Sequence, residues 1–225
     1  MSIEIKPDDI EVNSVLVYGS DVDSWKAENR YALSARKRIL DIVVATLLLL
    51  LTSPVLLIAL FLNVFFTGGR PVYVQKRLGF GGREFSLIKL RTMRMPKNHE
   101  KWNKLTELND PRITGWGKFL RKSYIDELLQ MINVVIGHMS VIGPRPETRT
   151  LSDEIISKHR RFKDRVSVRP GVTGLAQVYF RKPATEDDLW RKYYYDRLYI
   201  ADCGFMLDVK LLLQTVVRVV RLRGW

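Results

Sequence analysis

The longest apolar stretch of the chain runs from Ile42 to Leu62. Its 21 residues carry no charge and are polar only at Thr46, Thr52 and Ser53. A helix of this length spans about 30 Å, which is the thickness of a bilayer core. The pattern therefore predicts a helix that enters a membrane.

Two features of this stretch argue against a simple crossing. Pro54 follows Ser53 near its middle, and a proline inside a helix removes a backbone hydrogen bond and bends the axis. Both flanks are basic, at positions 36–38 and 70–77, and the positive-inside rule cannot keep both in the cytoplasm if the helix crosses. We therefore predict a re-entrant helix broken at Ser53-Pro54, with Thr52 or Ser53 bonding the freed carbonyl. A kinked full span is the alternative.

Shorter patterns follow this helix. Val72–Gln75 and Phe85–Leu90 read as short strands around a glycine-rich turn at 79–82. Near the other end, Phe205–Leu222 places leucine and valine among basic residues, which predicts an amphipathic helix on an anionic membrane surface. Packing of that helix on the domain core is the alternative.

These elements predict a mainly helical α/β fold with three parts. Residues 1–35 form a polar extension, residues 36–67 the re-entrant membrane helix, and residues 68–225 a small globular domain with short strands and surface amphipathic helices. The domain is expected on the cytoplasmic side of the membrane.

The charge of the chain is uneven. The formal net charge is +13, but residues 1–30 carry a net charge of −4, which leaves +17 for the rest. Such a body favours a polyanionic partner, which can be nucleic acid, an anionic membrane surface or a phosphorylated substrate. The one cysteine, Cys203, excludes an intramolecular disulfide.

Asp126 and Glu127 are neighbouring carboxylates at the predicted start of a helix. Ser123 is a good N-cap, and apolar residues recur at helical spacing after it. The first turn of a helix favours ionised carboxylates, and adjacent residues point about 100° apart, so the two acids are expected to have different roles. An ionised aspartate beside Arg121 and Lys122 suits a nucleophile or metal ligand that acts on phosphate. The alternative is that Asp126 only completes the helix cap.

Arg145 stands between two prolines. Pro144 and Pro146 fix the backbone around it, so the guanidinium can be pre-organised for a phosphate. A proline-rich turn with an exposed arginine is the alternative. The glycine-punctuated segment 169–177 could likewise bring N–H groups to an anion.

Several segments together resemble the bacterial sugar transferases, the monotopic polyprenyl-phosphate phosphoglycosyl transferases. The likeness covers about residues 36–223 in order and without large gaps. It includes the membrane segment with its Ser53-Pro54 pair and five motifs: Lys89-Leu-Arg-Thr-Met93, Phe119-Leu-Arg-Lys-Ser-Tyr-Ile-Asp-Glu-Leu128, Asn133-Val-Val-Ile-Gly-His-Met-Ser140, Ile142-Gly-Pro-Arg-Pro146 and Arg169-Pro-Gly-Val-Thr-Gly-Leu-Ala-Gln-Val178.

The resemblance implies a membrane-bound enzyme of the bacterial inner membrane. It would move a sugar-1-phosphate from a nucleotide diphosphate sugar, expected to be a UDP-sugar, to polyprenyl phosphate and release UMP. Asp126 would be the nucleophile that forms a phosphosugar-aspartate, and Glu127 would be either a proton acceptor or a neighbour of Mg²⁺. The resemblance places Mg²⁺ at Asp126 and Glu127. Candidate phosphate-binding residues are Arg121, Arg145 and Arg181, followed by Lys89 and Arg91.

The partners expected from the resemblance are the nucleotide-sugar donor, the polyprenyl phosphate acceptor and membrane lipids, with no nucleic acid. A homodimer is left open, as are the sugar and the pathway, which can be exopolysaccharide, capsule, O-antigen or glycoprotein assembly. The rival interpretation is a membrane-anchored basic protein that binds anionic lipid or nucleic acid. It accounts for the charge but not for the acid pair.

Overall fold

The structure is a computed structural model that describes residues 30–94, 110–158, 160–180 and 186–221. Within these ranges the fold is mainly helical with two small sheets, as predicted. The α-helices and β-strands follow in the order α1 (Ala35–Thr67), β1 (Val72–Leu78), β2 (Glu84–Leu90), α2 (Gly115–Lys122), α3 (Gln130–Val135), β3 (Ser140–Ile142), α4 (Arg149–Lys158), β4 (Gly171–Thr173), α5 (Leu175–Tyr179), α6 (Glu186–Asp202) and α7 (Phe205–Val220). Three 3₁₀ segments cover Phe80–Gly82, Ile125–Glu127 and Arg160–Ser167.

Helix α1 contains the whole predicted apolar stretch. It begins after Ser34, whose hydroxyl oxygen accepts a hydrogen bond from Lys37 N at 3.2 Å, and it ends at Gly68 in the left-handed conformation. Its most apolar window of 18 residues has a mean hydropathy of 2.7. Among the described residues it is the one helix that is long and apolar enough to cross a membrane.

The chain stays helical across Pro54. A proline at this position leaves the carbonyl of Leu50 without its usual amide donor. The Ser53 hydroxyl donates to that carbonyl at 2.8 Å, and the Thr52 hydroxyl donates to Leu48 O at 2.6 Å. Sequence analysis expected a serine or threonine in this role, and Ser53 fills it. It also expected a break at Ser53-Pro54, whereas the helical conformation continues through both residues.

One stripe of α1 is buried near both ends of the helix, within residues 37–45 and 56–67, whereas none of residues 46–55 is buried. Near the beginning, Lys37 Nζ lies 2.8 Å from Asp208 Oδ2. Near the end, Asn63 Nδ2 donates to Arg91 O at 2.8 Å. Both ends of the helix therefore contact the same globular domain. The buried stripe consists of Lys37, Asp41, Ala45, Leu56, Ala59, Asn63 and Thr67.

The first sheet is the predicted hairpin. Strands β1 and β2 pair antiparallel, with Val72 opposite Leu90 and Leu78 opposite Glu84. Asn133 fastens α3 to this hairpin, because its Oδ1 accepts from Ile88 N at 3.0 Å and its Nδ2 donates to Ser86 O at 2.8 Å. The amide of a buried asparagine thus pairs with backbone groups of β2.

The second sheet joins two distant segments. Strands β3 and β4 pair in parallel, with Ser140 opposite Gly171 and Ile142 opposite Thr173. A Cβ at Gly171 would lie 2.1 Å from Gly143 N, so the two backbones touch here. Gly171 N donates to Pro144 O at 2.8 Å. This glycine therefore serves close packing between strands, rather than the approach to an anion that the sequence suggested.

The core has two apolar clusters, and α1 contributes to both. The larger one lies between α1, α3, β3 and the two C-terminal helices α6 and α7. The smaller one combines Leu56 and Ala59 of α1 with Leu90 of β2 and with Leu120 and Leu129, which lie on either side of the acid pair in the sequence. The predicted C-terminal amphipathic helix is confirmed as α7, which buries Asp208 and Leu211 and exposes Met206, Leu213 and Val220.

Helix α2 depends on close contact with the segment after β2. The Thr114 hydroxyl accepts from Gly117 N at 2.8 Å, and a Cβ at Gly117 would lie 2.0 Å from Thr92 O. We expect Gly117→Ala to destabilise the fold by about 2 kcal/mol, because the backbone contact must open. A melting curve in detergent should show a lower Tm.

The matched control is Gly115→Ala in the same helix. A Cβ at Gly115 meets nothing within 4 Å, and alanine is the better helix former. The Tm of this variant should stay the same or rise. An equal decrease of Tm in the two variants would contradict the role of the close contact between Gly117 and Thr92 O.

Candidate active site

Asp126 and Glu127 lie on a separate 3₁₀ turn, Ile125–Glu127, and not in the first turn of a long helix. The predicted N-cap is wrong. Ser123 ends α2 instead, and its hydroxyl donates to Phe119 O at 2.9 Å. The reason is the residue that follows. Tyr124 adopts φ 59 and ψ 10, which ends the helical course before the two acids.

Tyr124 is strained. It is the only non-glycine residue with a positive φ in the described part of the chain. A left-handed conformation at a residue with a side chain costs about 1–3 kcal/mol, and such residues are concentrated at functional sites. Here the strain places two carboxylates on one tight turn, where both are buried.

The two carboxylates differ in their partners. Glu127 receives a two-point contact from Arg145, with Oε1 to Nη2 at 2.5 Å and Oε2 to Nη1 at 3.1 Å. Among the contacts of the described residues, no hydrogen bond or ion pair involves the carboxylate of Asp126. The site therefore holds one neutralised acid and one acid that is available for a ligand.

Electrostatics separates the two acids further. Burial raises the pKa of Asp126 to about 7, and the charge of Glu127 acts in the same direction, against Lys89 and Arg121. Burial would also raise the pKa of Glu127, but the charge and hydrogen bonds of Arg145 outweigh it and lower that pKa. Glu127 therefore ionises at a lower pH than Asp126, whose carboxyl group titrates near neutral pH. A three-residue turn lacks the dipole of a long helix, so burial dominates at Asp126.

Lys89 and Arg121 lie close enough to Asp126 to oppose the rise of its pKa. Lys89 stands at the end of β2 with Nζ 5.3 Å from the centre of the Tyr73 ring. Burial lowers the pKa of Lys89 to about 8, although Asp126 and Glu127 act in the opposite direction. Arg121 Nε donates to the Thr92 hydroxyl at 2.8 Å. Lys89, Arg121 and Arg145 thus each act to lower the pKa of both acids.

One of the remaining candidates, Arg91, has its contacts elsewhere. Arg91 is buried, and its guanidinium donates to Arg70 O at 2.9 Å and to Val72 O at 3.2 Å. It therefore ties the segment after α1 to the end of the hairpin. Arg181 lies outside the described residues.

The comparisons with known proteins bear on this site. The family model of the bacterial sugar transferases matches residues 32–222, which include every described site residue. The chain belongs to the bacterial sugar transferase family. The rival interpretation, a basic protein that only binds lipid or nucleic acid, is not supported by this match.

Curated relatives match most of this chain. A UDP-glucose:undecaprenyl-phosphate glucose-1-phosphate transferase of Caulobacter vibrioides is 38% identical over 189 residues, which are 83% of this chain and 70% of that protein. A protein of the same name in Klebsiella pneumoniae is 36% identical over 184 residues, 81% of this chain and 39% of that protein. The present chain thus spans about two fifths of the Klebsiella relative.

A third relative carries a different sugar in its name. It is a UDP-N-acetylgalactosamine-undecaprenyl-phosphate N-acetylgalactosaminephosphotransferase of Aeromonas hydrophila. It is 37% identical over 180 residues, which are 80% of this chain and 42% of that protein. Relatives at similar identity therefore differ in the sugar that they are named for.

Sequence analysis missed a cluster of charged residues that packs against the Arg145 segment. Glu147 pairs with Lys192 and lies 3.6 Å from Arg165 Nη1 and 3.7 Å from Arg77 Nη1. Burial alone would raise the pKa of Glu147, but Lys192, Arg165 and Arg77 outweigh it and lower that pKa to about 2. A glutamate directly after Pro-Arg-Pro was the only local signal for this cluster.

The pKa of Glu147 predicts how stability depends on pH. Because the folded pKa lies below the ordinary value of 4.5, the carboxylate stabilises the fold fully above pH 4.5 and loses that contribution as the pH falls toward 2. We expect Glu147→Gln to lower the free energy of unfolding by roughly 3 kcal/mol at neutral pH. The difference in the free energy of unfolding between this variant and the wild type should become smaller below pH 4.5, as measured by denaturation curves in detergent.

Glu84→Gln serves as the control for this pH dependence. Glu84 pairs with Arg149 at 2.8 Å, but both side chains are largely exposed. Exposed pairs contribute little to stability, so this variant should follow the wild type at every pH. A gap for Glu147→Gln that stays constant down to pH 2 would contradict the low pKa.

Proposed function

We propose that this chain transfers a sugar-1-phosphate from a UDP-sugar to undecaprenyl phosphate and releases UMP. Relatives with this activity in their names support both substrates. The observation that carries the proposal is the asymmetry of the acid pair, in which Arg145 holds Glu127 while Asp126 has no partner among the described residues. A buried carboxylate without a partner, set among cations, suits nucleophilic attack on a phosphate.

The first half of the reaction would form a covalent intermediate. A carboxylate oxygen of Asp126 attacks the phosphorus that bears the sugar, and the bond from that phosphorus to the bridging oxygen breaks. UMP leaves with the electron pair, and the sugar phosphate remains on Asp126 as an acyl phosphate. Lys89 and Arg121 are the described cations that would stabilise the negative charge of the diphosphate.

The second half would regenerate the carboxylate. A phosphate oxygen of the acceptor attacks the same phosphorus, and the bond to the Asp126 oxygen breaks. The product is a polyprenyl diphosphate sugar. Glu127 would accept the proton of the incoming phosphate if that group still carries one; Arg145 keeps Glu127 ionised but, by lowering its pKa, also makes it a weaker base.

Magnesium is proposed at the same acids. Mg²⁺ prefers carboxylate oxygens and is bound by one or two of them together with water and substrate phosphates. The unpartnered carboxylate of Asp126 fits this role, and Glu127 would be a neighbour whose oxygens are already shared with Arg145. The described residues contain no cluster of three or more acidic, histidine or cysteine ligands. The bound ion would neutralise charge on the diphosphate.

The first test is UMP release by wild type and Asp126→Asn. The assay offers UDP-glucose, UDP-galactose or UDP-N-acetylgalactosamine together with undecaprenyl phosphate, with magnesium or with a chelator. We expect release from at least one donor, lost on chelation and reduced at least about 10³-fold by the substitution. Sugar phosphate should remain on the wild-type protein when the acceptor is omitted.

Asp153→Asn is the matched control, because Asp153 is an exposed aspartate on α4. Its rate should equal that of the wild type. Release that survives Asp126→Asn would exclude the covalent mechanism. A wild type that binds undecaprenyl phosphate but releases no UMP from any donor would favour a binding protein.

We also propose that α1 is re-entrant in the bacterial inner membrane, with the domain on the cytoplasmic face. The support is that both ends of α1 contact this one domain, through Lys37 at the beginning and Asn63 at the end. A straight helix of 33 residues is about 50 Å long, so a full crossing would carry one of these contacts to the far side. The outer face of α1 is apolar and exposed, as lipid contact requires.

Cysteine labelling tests this topology. Arg36→Cys and Arg70→Cys flank the helix, and Cys203→Ala removes the native thiol, which is buried. A membrane-impermeant maleimide should label both positions from the cytoplasmic side only, as it labels the domain marker Asp153→Cys. Labelling of the two flanks from opposite sides would show a full span.

A further inference from the structure

The loop Pro144–Pro146 carries Arg145 and has few hydrogen-bond donors of its own. The two prolines have no N–H, so this segment can be fastened mainly through its carbonyl oxygens. All three carbonyls are bonded. Pro144 O accepts from Gly171 N at 2.8 Å, Arg145 O from Arg165 Nη2 at 2.7 Å, and Pro146 O from Arg77 Nη1 at 3.3 Å.

The two arginines come from different parts of the fold. Arg77 belongs to β1, and Arg165 lies in the 3₁₀ segment Arg160–Ser167. Arg165 is itself fixed, because its Nε lies 2.8 Å from Asp196 Oδ2 and its guanidinium stacks 4.6 Å from the centre of the Phe162 ring. The loop is thus held from two sides by side chains that cannot move freely.

Glu147 sits between the two arginines. Its Oε2 lies 3.7 Å from Arg77 Nη1, and its Oε1 lies 3.6 Å from Arg165 Nη1. Its own carbonyl accepts from Leu78 N at 2.9 Å, which anchors the residue to the end of β1. One largely buried carboxylate, with 12% of its side chain exposed, therefore orients both guanidinium groups that bond the loop.

We propose that Arg77 and Arg165, oriented by Glu147, are positioning residues for the reaction. They hold the backbone of Arg145 so that its guanidinium meets both oxygens of Glu127. This inference rests on the proposed function, since it assigns the two arginines a part in that reaction. They need not touch the substrate, because a displacement of about 1 Å in a catalytic group can cost about 10²-fold in rate.

The fork of an arginine is essential to this role. Arg165 uses one nitrogen on the Arg145 carbonyl and another on Asp196. A lysine keeps the charge but offers a single nitrogen, so it cannot make both contacts at once. Arg165→Lys should therefore fail to restore what Arg165→Gln loses.

Single-turnover UMP release from UDP-sugar without acceptor tests the proposal. Its amplitude counts the enzyme molecules that are folded and competent, and its rate constant reports how well the site is arranged. We expect Arg77→Gln, Arg165→Gln and Arg165→Lys each to lower the rate constant about 10–100-fold while the amplitude stays near that of the wild type.

Lys192→Gln is the matched control. Lys192 pairs with the same carboxylate of Glu147, yet among the described residues no hydrogen bond joins it to the carbonyls of the loop. Its rate constant should stay within about threefold of the wild type, even if its Tm falls. The comparison separates the effect of losing an ion pair with Glu147 from the effect of losing a hydrogen bond to the backbone of the loop.

Three outcomes would overturn the proposal. A lower amplitude with an unchanged rate constant in the arginine variants would mean that these residues only stabilise the fold. A wild-type rate constant in Arg165→Lys would mean that charge alone is needed. Equal rate losses in Lys192→Gln and Arg165→Gln would remove the special role of the loop contacts. A wild type that releases no UMP would instead contradict the proposed function.

Discussion

Repulsion between two neighbouring buried carboxylates is the constraint on which this site depends. Asp126 and Glu127 share one short turn and are both buried, and like charges in a poorly solvated place cannot both ionise without a counterion. Arg145 supplies that counterion to Glu127 alone. The result is a pair of acids with pKa values pushed apart, the arrangement that assigns different roles to chemically similar groups.

Holding Arg145 beside Glu127 brings two further cations, Arg77 and Arg165, to the loop, and their charges need counterions of their own. Glu147 counters the cations that hold the loop, and Asp196 counters Arg165 in turn. Buried ion pairs add little net stability, since desolvation cancels much of their attraction, but an unpaired member is costly. A network of alternating charges therefore specifies one arrangement of the loop more strongly than it stabilises the fold.

The sequence predicted the elements that rest on local periodicity. Helix α1, the β1–β2 hairpin and α7 all follow from runs of apolar residues or their alternation. It failed at Tyr124, because the apolar spacing continues through a residue whose left-handed backbone separates two elements. The partners of Arg145 were also out of reach. Glu127 and Arg165 stand 18 and 20 residues away, and no local pattern of a single sequence encodes such contacts.

The packing of α1 links the proposed membrane helix to the candidate active site. Leu56 and Ala59 of this helix share an apolar cluster with Leu120 and Leu129, which lie on either side of the acid pair in the sequence. In the proposed membrane placement, the depth of α1 in lipid would set the height of Asp126 above it. The proposed reaction between a water-soluble nucleotide sugar and a lipid phosphate would need its nucleophile at the level of the headgroups. A helix fastened to the domain at both ends fixes that level, whereas a flexible tether would leave it undetermined.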